Sequence, residues 1–129
     1  MINFEIRVSV YKTIIHVIIG GSISERRKLM RSKNYTWMYV ENLIERITDH
    51  DGTTVKHQSG NLTLFFNESP KKDNFWLSIL THETFHAACY ILRKAGIPLS
   101  EESEEAYAYL QQMIFEEILD NLDNARSTR

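Results

Sequence analysis

The sequence predicts an α+β fold in which a small, mostly antiparallel sheet from the N-terminal half packs on two long C-terminal helices. Two observations support this prediction. Residues that favour strands, chiefly Val, Ile, Thr and Tyr, are concentrated before residue 68, and two long segments with helical spacing and capping signals follow it. Because strands and helices are segregated along the chain, an α+β arrangement is favoured over an alternating parallel-sheet fold.

Length and charge narrow the class of protein. The 129 residues are 43% hydrophobic and 25% charged, which predicts one globular domain over residues 1–122 and a polar, frayed tail over 123–129. The formal net charge is −2 and charges of both signs are interspersed, so no nucleic-acid or membrane partner is expected. The one dense basic cluster, Arg26 to Lys33, is interpreted as the solvated face of a short helix.

The first elements are strand-rich. The segment Phe4–Ile19 has the composition of strands, and Gly20-Gly21 interrupts it. Ser22 or Ser24 can then cap a short charged helix that continues to Arg31.

A second helix and a hairpin follow. Apolar residues between Trp37 and Ile47 recur at helical spacing, and residues 49–52 form a turn signal. The segments Thr53–Gln58 and Asn61–Asn67 flank Ser59-Gly60, which predicts a β-hairpin.

The longest helices are predicted in the second half. Residues 70–73 are predicted to form a loop. Asp73 or Asn74 can then cap a helix from about Phe75 to Lys94, which stops at Gly96. Ser100 is then expected to cap a last helix that continues to about Leu122. Its first turn carries four acids that complement the helix dipole: Glu101, Glu102, Glu104 and Glu105.

The single cysteine, Cys89, excludes an internal disulfide and favours a reducing compartment. It falls in an apolar helical run, which indicates a small buried residue rather than a nucleophile. The N-terminal residues do not resemble a signal peptide, and the apolar run Ile14–Ile19 is too short to span a bilayer. We therefore expect a cytoplasmic protein.

The residues that carry chemistry lie in the first long helix. His82 and His86 are four residues apart, so both imidazoles leave one helix face and can reach one zinc ion at about 2.0–2.1 Å. Glu83 projects beside them, where it can accept a proton from water. The neighbours that would bury this helix are uncharged: Trp76, Ile79, Leu80, Phe85, Ala87, Ala88 and Ile91.

Two other interpretations fit the same residues. The histidines can share a helix without binding metal. Glu83 and His86 can also form half of a carboxylate-bridged di-iron site, which requires a second Glu-x-x-His pair. None of His16, His50 or His57 has Glu three residues before it, so the sequence favours a zinc site.

A catalytic zinc site usually has three protein ligands. No histidine follows His86, so a carboxylate from the acidic start of the last helix is the expected third ligand.

Residues 79–110 resemble a family, the gluzincins, which are zinc peptidases with a glutamate as third ligand. The motif His82-Glu83-Thr84-Phe85-His86 is followed by Glu105 after 18 intervening residues, a separation similar to that of the aminopeptidase branch. The resemblance implies His82, His86 and Glu105 as metal ligands, with Glu104 as the alternative to Glu105. Ala108 matches the small residue that lets the two helices approach.

The resemblance also implies an edge strand before the metal helix, to which substrate backbone adds. Asn61–Phe66 has that position, although a plain buried strand fits equally well. A Tyr or His is expected to stabilise the oxyanion, and Tyr107, Tyr109 and His57 are the candidates. The aminopeptidase segment that binds a free N-terminus is missing, so aminopeptidase activity is not predicted.

The sequence therefore predicts a Zn²⁺-dependent peptide-bond hydrolase with Glu83 as general base and a protein or peptide substrate. The layout also resembles short zincin-like proteins of bacteria and their phages. The alternative function is a zincin-shaped binding protein, whose metal site is structural or unused and which acts through a protein partner.

Overall fold

A computed structural model describes residues 1–67 and 73–127. Within them the chain forms four strands and four α-helices, with one 3₁₀ turn at Ser9–Tyr11: β1 (Ile2–Val8), β2 (Thr13–Ile19), α1 (Ile23–Arg31), α2 (Trp37–Thr48), β3 (Gly52–Lys56), β4 (Leu62–Phe66), α3 (Asn74–Lys94) and α4 (Glu104–Ser127). The α+β class and the two long C-terminal helices are confirmed. The predicted loop at 70–73 lies, apart from Asp73, outside the described residues.

The four strands form one mixed sheet in the order β1-β2-β4-β3. The β1–β2 and β3–β4 pairings are antiparallel, and the second of these confirms the hairpin predicted around Ser59-Gly60. The central β2–β4 pairing is parallel. Parallel neighbours need a long crossover, which α1, α2 and β3 supply here.

Helices cover both faces of the sheet. Alternate residues such as Ile15, Val17 and Leu64 pack with α3 and α4 in one core cluster. Ile18 and Phe65 point the other way and pack with α1 and α2. The sequence prediction placed the two long C-terminal helices against the sheet and assigned no face to the two shorter helices, which cover the opposite side. Nearly every residue of β2 and β4 is buried, and this pattern is typical of strands that are covered on both faces.

The shorter helices begin where their caps predict. Ser22 caps α1 in a reciprocal capping box with Glu25, each side chain accepting a hydrogen bond from the other residue's backbone N–H. In α2 the predicted apolar stripe is buried except for Trp37, which is 63% exposed.

The last helix begins later and ends later than the sequence indicated. Residues Ser100 to Ser103 form a turn, in which the Ser103 N–H donates to the Ser100 carbonyl at 3.2 Å, and α4 starts at Glu104. Glu104 and Glu105 are thus the acids of its first turn. The helix runs through Ser127, beyond the end expected near Leu122. Among the described helices, none has the length and apolar character needed to cross a membrane.

Candidate active site

The α3 helix carries the predicted catalytic motif and has defined ends. The Asp73 side chain caps its N-terminus, accepting a hydrogen bond from the Trp76 N–H at 2.8 Å. At the other end Gly96 adopts φ +83°, and its N–H donates to the Arg93 carbonyl at 2.9 Å. Between these ends Ala87 and Ala88 are fully buried against the sheet and α4, so the register of the motif is fixed by packing.

The two imidazoles of the motif converge. The Nε2 atoms of His82 and His86 lie 3.1 Å apart, and both side chains are exposed. For ligand bonds of about 2.0–2.1 Å, that separation corresponds to an angle of about 95–102° at a shared metal ion, close to the tetrahedral value of about 109°. The two nitrogens are therefore close enough to bind one metal ion, and at this separation they can also hydrogen-bond to each other.

Glu83 is buried beside the histidines, with 5% of its surface exposed. One of its carboxylate oxygens and one nitrogen from each histidine lie within 4.8 Å of one another. The Thr54 hydroxyl lies 3.3 Å from Glu83 Oε2 and 3.3 Å from the Glu83 carbonyl oxygen. The strand β3 thus holds the carboxylate in place while leaving it next to the imidazoles.

Gly52 allows β3 to approach this carboxylate. A Cβ atom at position 52 would lie 2.7 Å from Ile79 Cγ2 and 2.9 Å from Glu83 Cγ. Both distances are below normal carbon–carbon contact. A side chain at this position would therefore displace Glu83 or the strand.

Two cavities flank the motif. One, of about 350 Å³, is lined by residues that include His86, Tyr90 and Arg93. The other, of about 300 Å³, is lined by residues that include Ile79 and His82. Three residues line both cavities: His50, Gly52 and Glu83.

His50 and Tyr90 are site residues that sequence reasoning did not identify. Tyr90 shares the helix face of His86, and a helical projection of α3 would have placed it there. His50 lies in the turn between α2 and β3, far from the motif in sequence. Only the packing of β3 on α3 brings it to the cavities.

The three oxyanion candidates chosen from the sequence lie elsewhere, and none of them lines either cavity. The Tyr107 hydroxyl is committed to the Ile97 carbonyl at 2.7 Å. His57 is buried between the Tyr39 hydroxyl at 2.6 Å and Thr63 Oγ1 at 2.7 Å. Tyr109 is 67% exposed on α4.

The predicted third ligand, Glu105, is exposed in the first turn of α4, as is Glu104. Neither belongs to the group of convergent donor atoms formed by His82, Glu83 and His86 among the described residues. The helix itself reaches the site, because Gln111 Nε2 donates to the Thr81 carbonyl at 3.0 Å, one residue before His82. The ligand role of Glu105 remains a prediction.

The edge strand beside the motif is β3 and not the segment Asn61–Phe66. β4, which contains most of that segment, lies inside the sheet with partners on both sides. Of the two alternatives that the sequence left open, the structure selects the buried strand. Gly52 and Thr54 of this strand lie next to Glu83.

Cys89 is buried at 6% exposure, as predicted, at the wall of the larger cavity. Burial raises the pKa of its thiol, and the positive charges of Arg93 and Lys56 offset this only in part. A thiol with a raised pKa is a poor nucleophile, which supports a structural role.

The chain was compared with protein families, characterised proteins and solved structures, and none of them matches it.

Proposed function

We propose that this protein is a small zinc-dependent peptide hydrolase of the gluzincin type, built on a minimal zincin-like domain. The observation that supports it best is the combination of two convergent Nε2 atoms with a buried carboxylate beside them. A pair of histidines that merely shared a helix would not need an acid held at 5% exposure next to them.

His82 and His86 would hold the metal through Nε2, and Glu105 is the predicted third ligand. A bound zinc ion supplies a Lewis acid that polarises a carbonyl group and lowers the pKa of water. Two neutral imidazoles leave the ion its positive charge, which suits that chemistry.

Glu83 is the proposed general base. Its carboxylate lies near both imidazoles and can accept a proton from an attacking water molecule at a carboxylate oxygen. Thr54 restrains that carboxylate from the β3 side. Within the described residues β3 has a strand partner on one side only, β4, so its other side could pair with the substrate backbone.

The substrate is proposed to be an intracellular protein or peptide. An extended peptide that adds to the free edge of β3 would pass directly in front of Glu83, since Thr54 lies on that strand. His50 and Tyr90 line the adjoining cavities and replace the earlier candidates for stabilising an oxyanion.

The ligand set is tested by metal content of protein purified without added metal. One equivalent of zinc is expected in the parent chain and in a control variant, Glu102→Gln, which changes an exposed acid in the turn before α4. His82→Ala and His86→Ala are each expected to lose the metal, because two remaining ligands bind zinc weakly. Loss of zinc in Glu105→Ala would identify Glu105 as the third ligand, whereas full retention of zinc in that variant would exclude it.

The mechanism is tested by Glu83→Gln. This variant is expected to keep zinc and to lose at least about 100-fold in peptide cleavage, the usual contribution of a positioned general base. Cleavage at the parental rate with bound zinc would show that Glu83 is not the base. If the parent binds zinc and a partner protein but cleaves nothing, the alternative function as a binding protein would be favoured.

A further inference from the structure

The larger cavity beside His86 is strongly basic. Arg46 of α2, Lys56 of β3 and Arg93 of α3 all line it. Among the described residues, Glu83 is the only carboxylate in its lining. Its volume of about 350 Å³ is sufficient for a substrate side chain or a chain terminus.

These three cations have no ion-pair partner within residues 1–67 and 73–127. The ion pairs found there involve the N-terminal amine, Arg27, Arg31 and Lys33. Lys56 Nζ instead lies 5.2 Å from the centroid of the Tyr90 ring, in a cation–π contact at the cavity wall. The cavity thus holds an excess of positive charge.

Each of the three cations has a possible structural role in its own element, but these roles do not explain why all three line one cavity. Arg46 and Arg93 lie in the last turns of their helices, where any cation complements the dipole. Lys56 lies on an edge strand, where charge discourages association between sheets. Both roles can be performed with the side chain pointing away from the site, whereas all three residues border the same cavity next to Glu83.

We propose that this cavity binds a carboxylate of the substrate peptide, so that the enzyme prefers peptides with an acidic group close to the scissile bond. This inference rests on the proposed hydrolase function. Gly52, Thr54 and Lys56 share one side of β3, because side chains alternate along a strand. Gly52 and Thr54 contact Glu83, and Lys56 lies about 7 Å beyond Thr54. A peptide paired with β3 would then present its carboxylate within about two residues of the scissile bond.

The test measures binding separately from cleavage. Zinc-loaded Glu83→Gln protein is titrated into fluorescent heptapeptides in which one position carries Asp or Glu, or the uncharged isosteres Asn or Gln. An exposed charge pair contributes about two- to fivefold in affinity, so three cations at the lower end of that range are together expected to favour the acidic peptide by about tenfold. Peptides with free and amidated C-termini distinguish a side-chain carboxylate from a terminal one. A preference for either source supports the proposal, and equal affinities for every acidic and neutral peptide overturn it.

Variants of the lining residues test whether this cavity causes the preference for acidic peptides. In the double variant Arg46→Gln/Arg93→Gln the ratio of affinities for the acidic and the neutral peptide is expected to fall below about threefold, because two of the three cations are lost. Lys28→Gln is the matched control, since Lys28 is exposed on α1 and lines neither cavity. Circular dichroism shows whether the double variant folds. A ratio that is unchanged in the folded double variant would place the anion elsewhere and overturn the proposal.

Cleavage of the same peptides by the parent enzyme separates the two proposals. Cleavage with no acidic preference would refute the anion site and leave the hydrolase function standing. Acid-selective binding without cleavage of any peptide would refute hydrolysis of such peptides and keep the anion site.

Discussion

At the scale of single residues, the site depends on how closely β3 approaches α3. Glu83 is held between the Thr54 hydroxyl and the backbone of Gly52, and there is no space for a Cβ at position 52. A general base must lie within about 0.5 Å of its working position, so the residue opposite it matters although it takes no part in the chemistry.

Gly52→Ala is therefore expected to lower the rate of peptide cleavage by about 10- to 100-fold, because displacing a reacting group by about 1 Å has an effect of that size. Zinc content is expected to remain at one equivalent, since the new methyl group contacts Ile79 and Glu83 and not the imidazoles. Steady-state kinetics and metal analysis on the same sample check this. A variant as active as the parent would show that β3 does not position Glu83.

At the scale of elements, α3 is positioned by its cap and by packing. Asp73 caps the helix about two and a half turns before the motif, and its carboxylate accepts a hydrogen bond from the Trp76 N–H that the helix leaves unpaired. Trp76 is itself buried in the main core, so the cap also fixes where the helix enters the domain.

Asp73→Ala is expected to lower the free energy of unfolding by about 1 kcal/mol, the usual contribution of an N-cap side chain. Asp73→Asn is the matched control and should retain most of that stability, because Asn also accepts the N–H hydrogen bond. Urea unfolding of the two variants and the parent provides the measurement. Equal stability of the Ala and Asn variants would mean that packing alone sets the start of α3.

At the scale of the whole molecule, stability should depend on pH through a buried histidine of the central sheet. His16 on β2 is 6% exposed, and its Nε2 hydrogen-bonds to Asn3 Oδ1 at 3.3 Å. Burial, assisted by the positive charge of Lys33, lowers the pKa of His16 to about 4, and the nearby Glu5 only partly opposes this. Burial also lowers the pKa of His57.

Because the unfolded chain takes up a proton at His16 at a higher pH than the folded chain, stability falls as the pH drops from about 6.5 to about 4. The loss is complete below that range and should amount to about 3 kcal/mol. His16→Gln is expected to remove most of this dependence. Urea unfolding of both proteins at pH 7 and pH 4 checks it, since His57 and the carboxyl groups are present in both proteins. Parallel pH profiles would contradict the assignment to His16.

Local sequence patterns predicted the individual helices, the hairpin and the pair of histidines. The i, i+4 spacing placed His82 and His86 on one helix face, the capping signals located α1 and α3 to within a residue or two, and Ser59-Gly60 gave the hairpin. These features depend on contacts between residues that are close in the chain, so spacing and residue type are sufficient to predict them.

Tertiary structure alone decided the rest. It made β3 the edge strand and β4 an interior one, covered both faces of the sheet, and brought Arg46, Lys56 and Arg93 from three elements to one cavity. The physical reason is that strand order and helix placement depend on contacts between segments distant in the chain. Several topologies bury the same apolar residues, and local patterns do not distinguish among them.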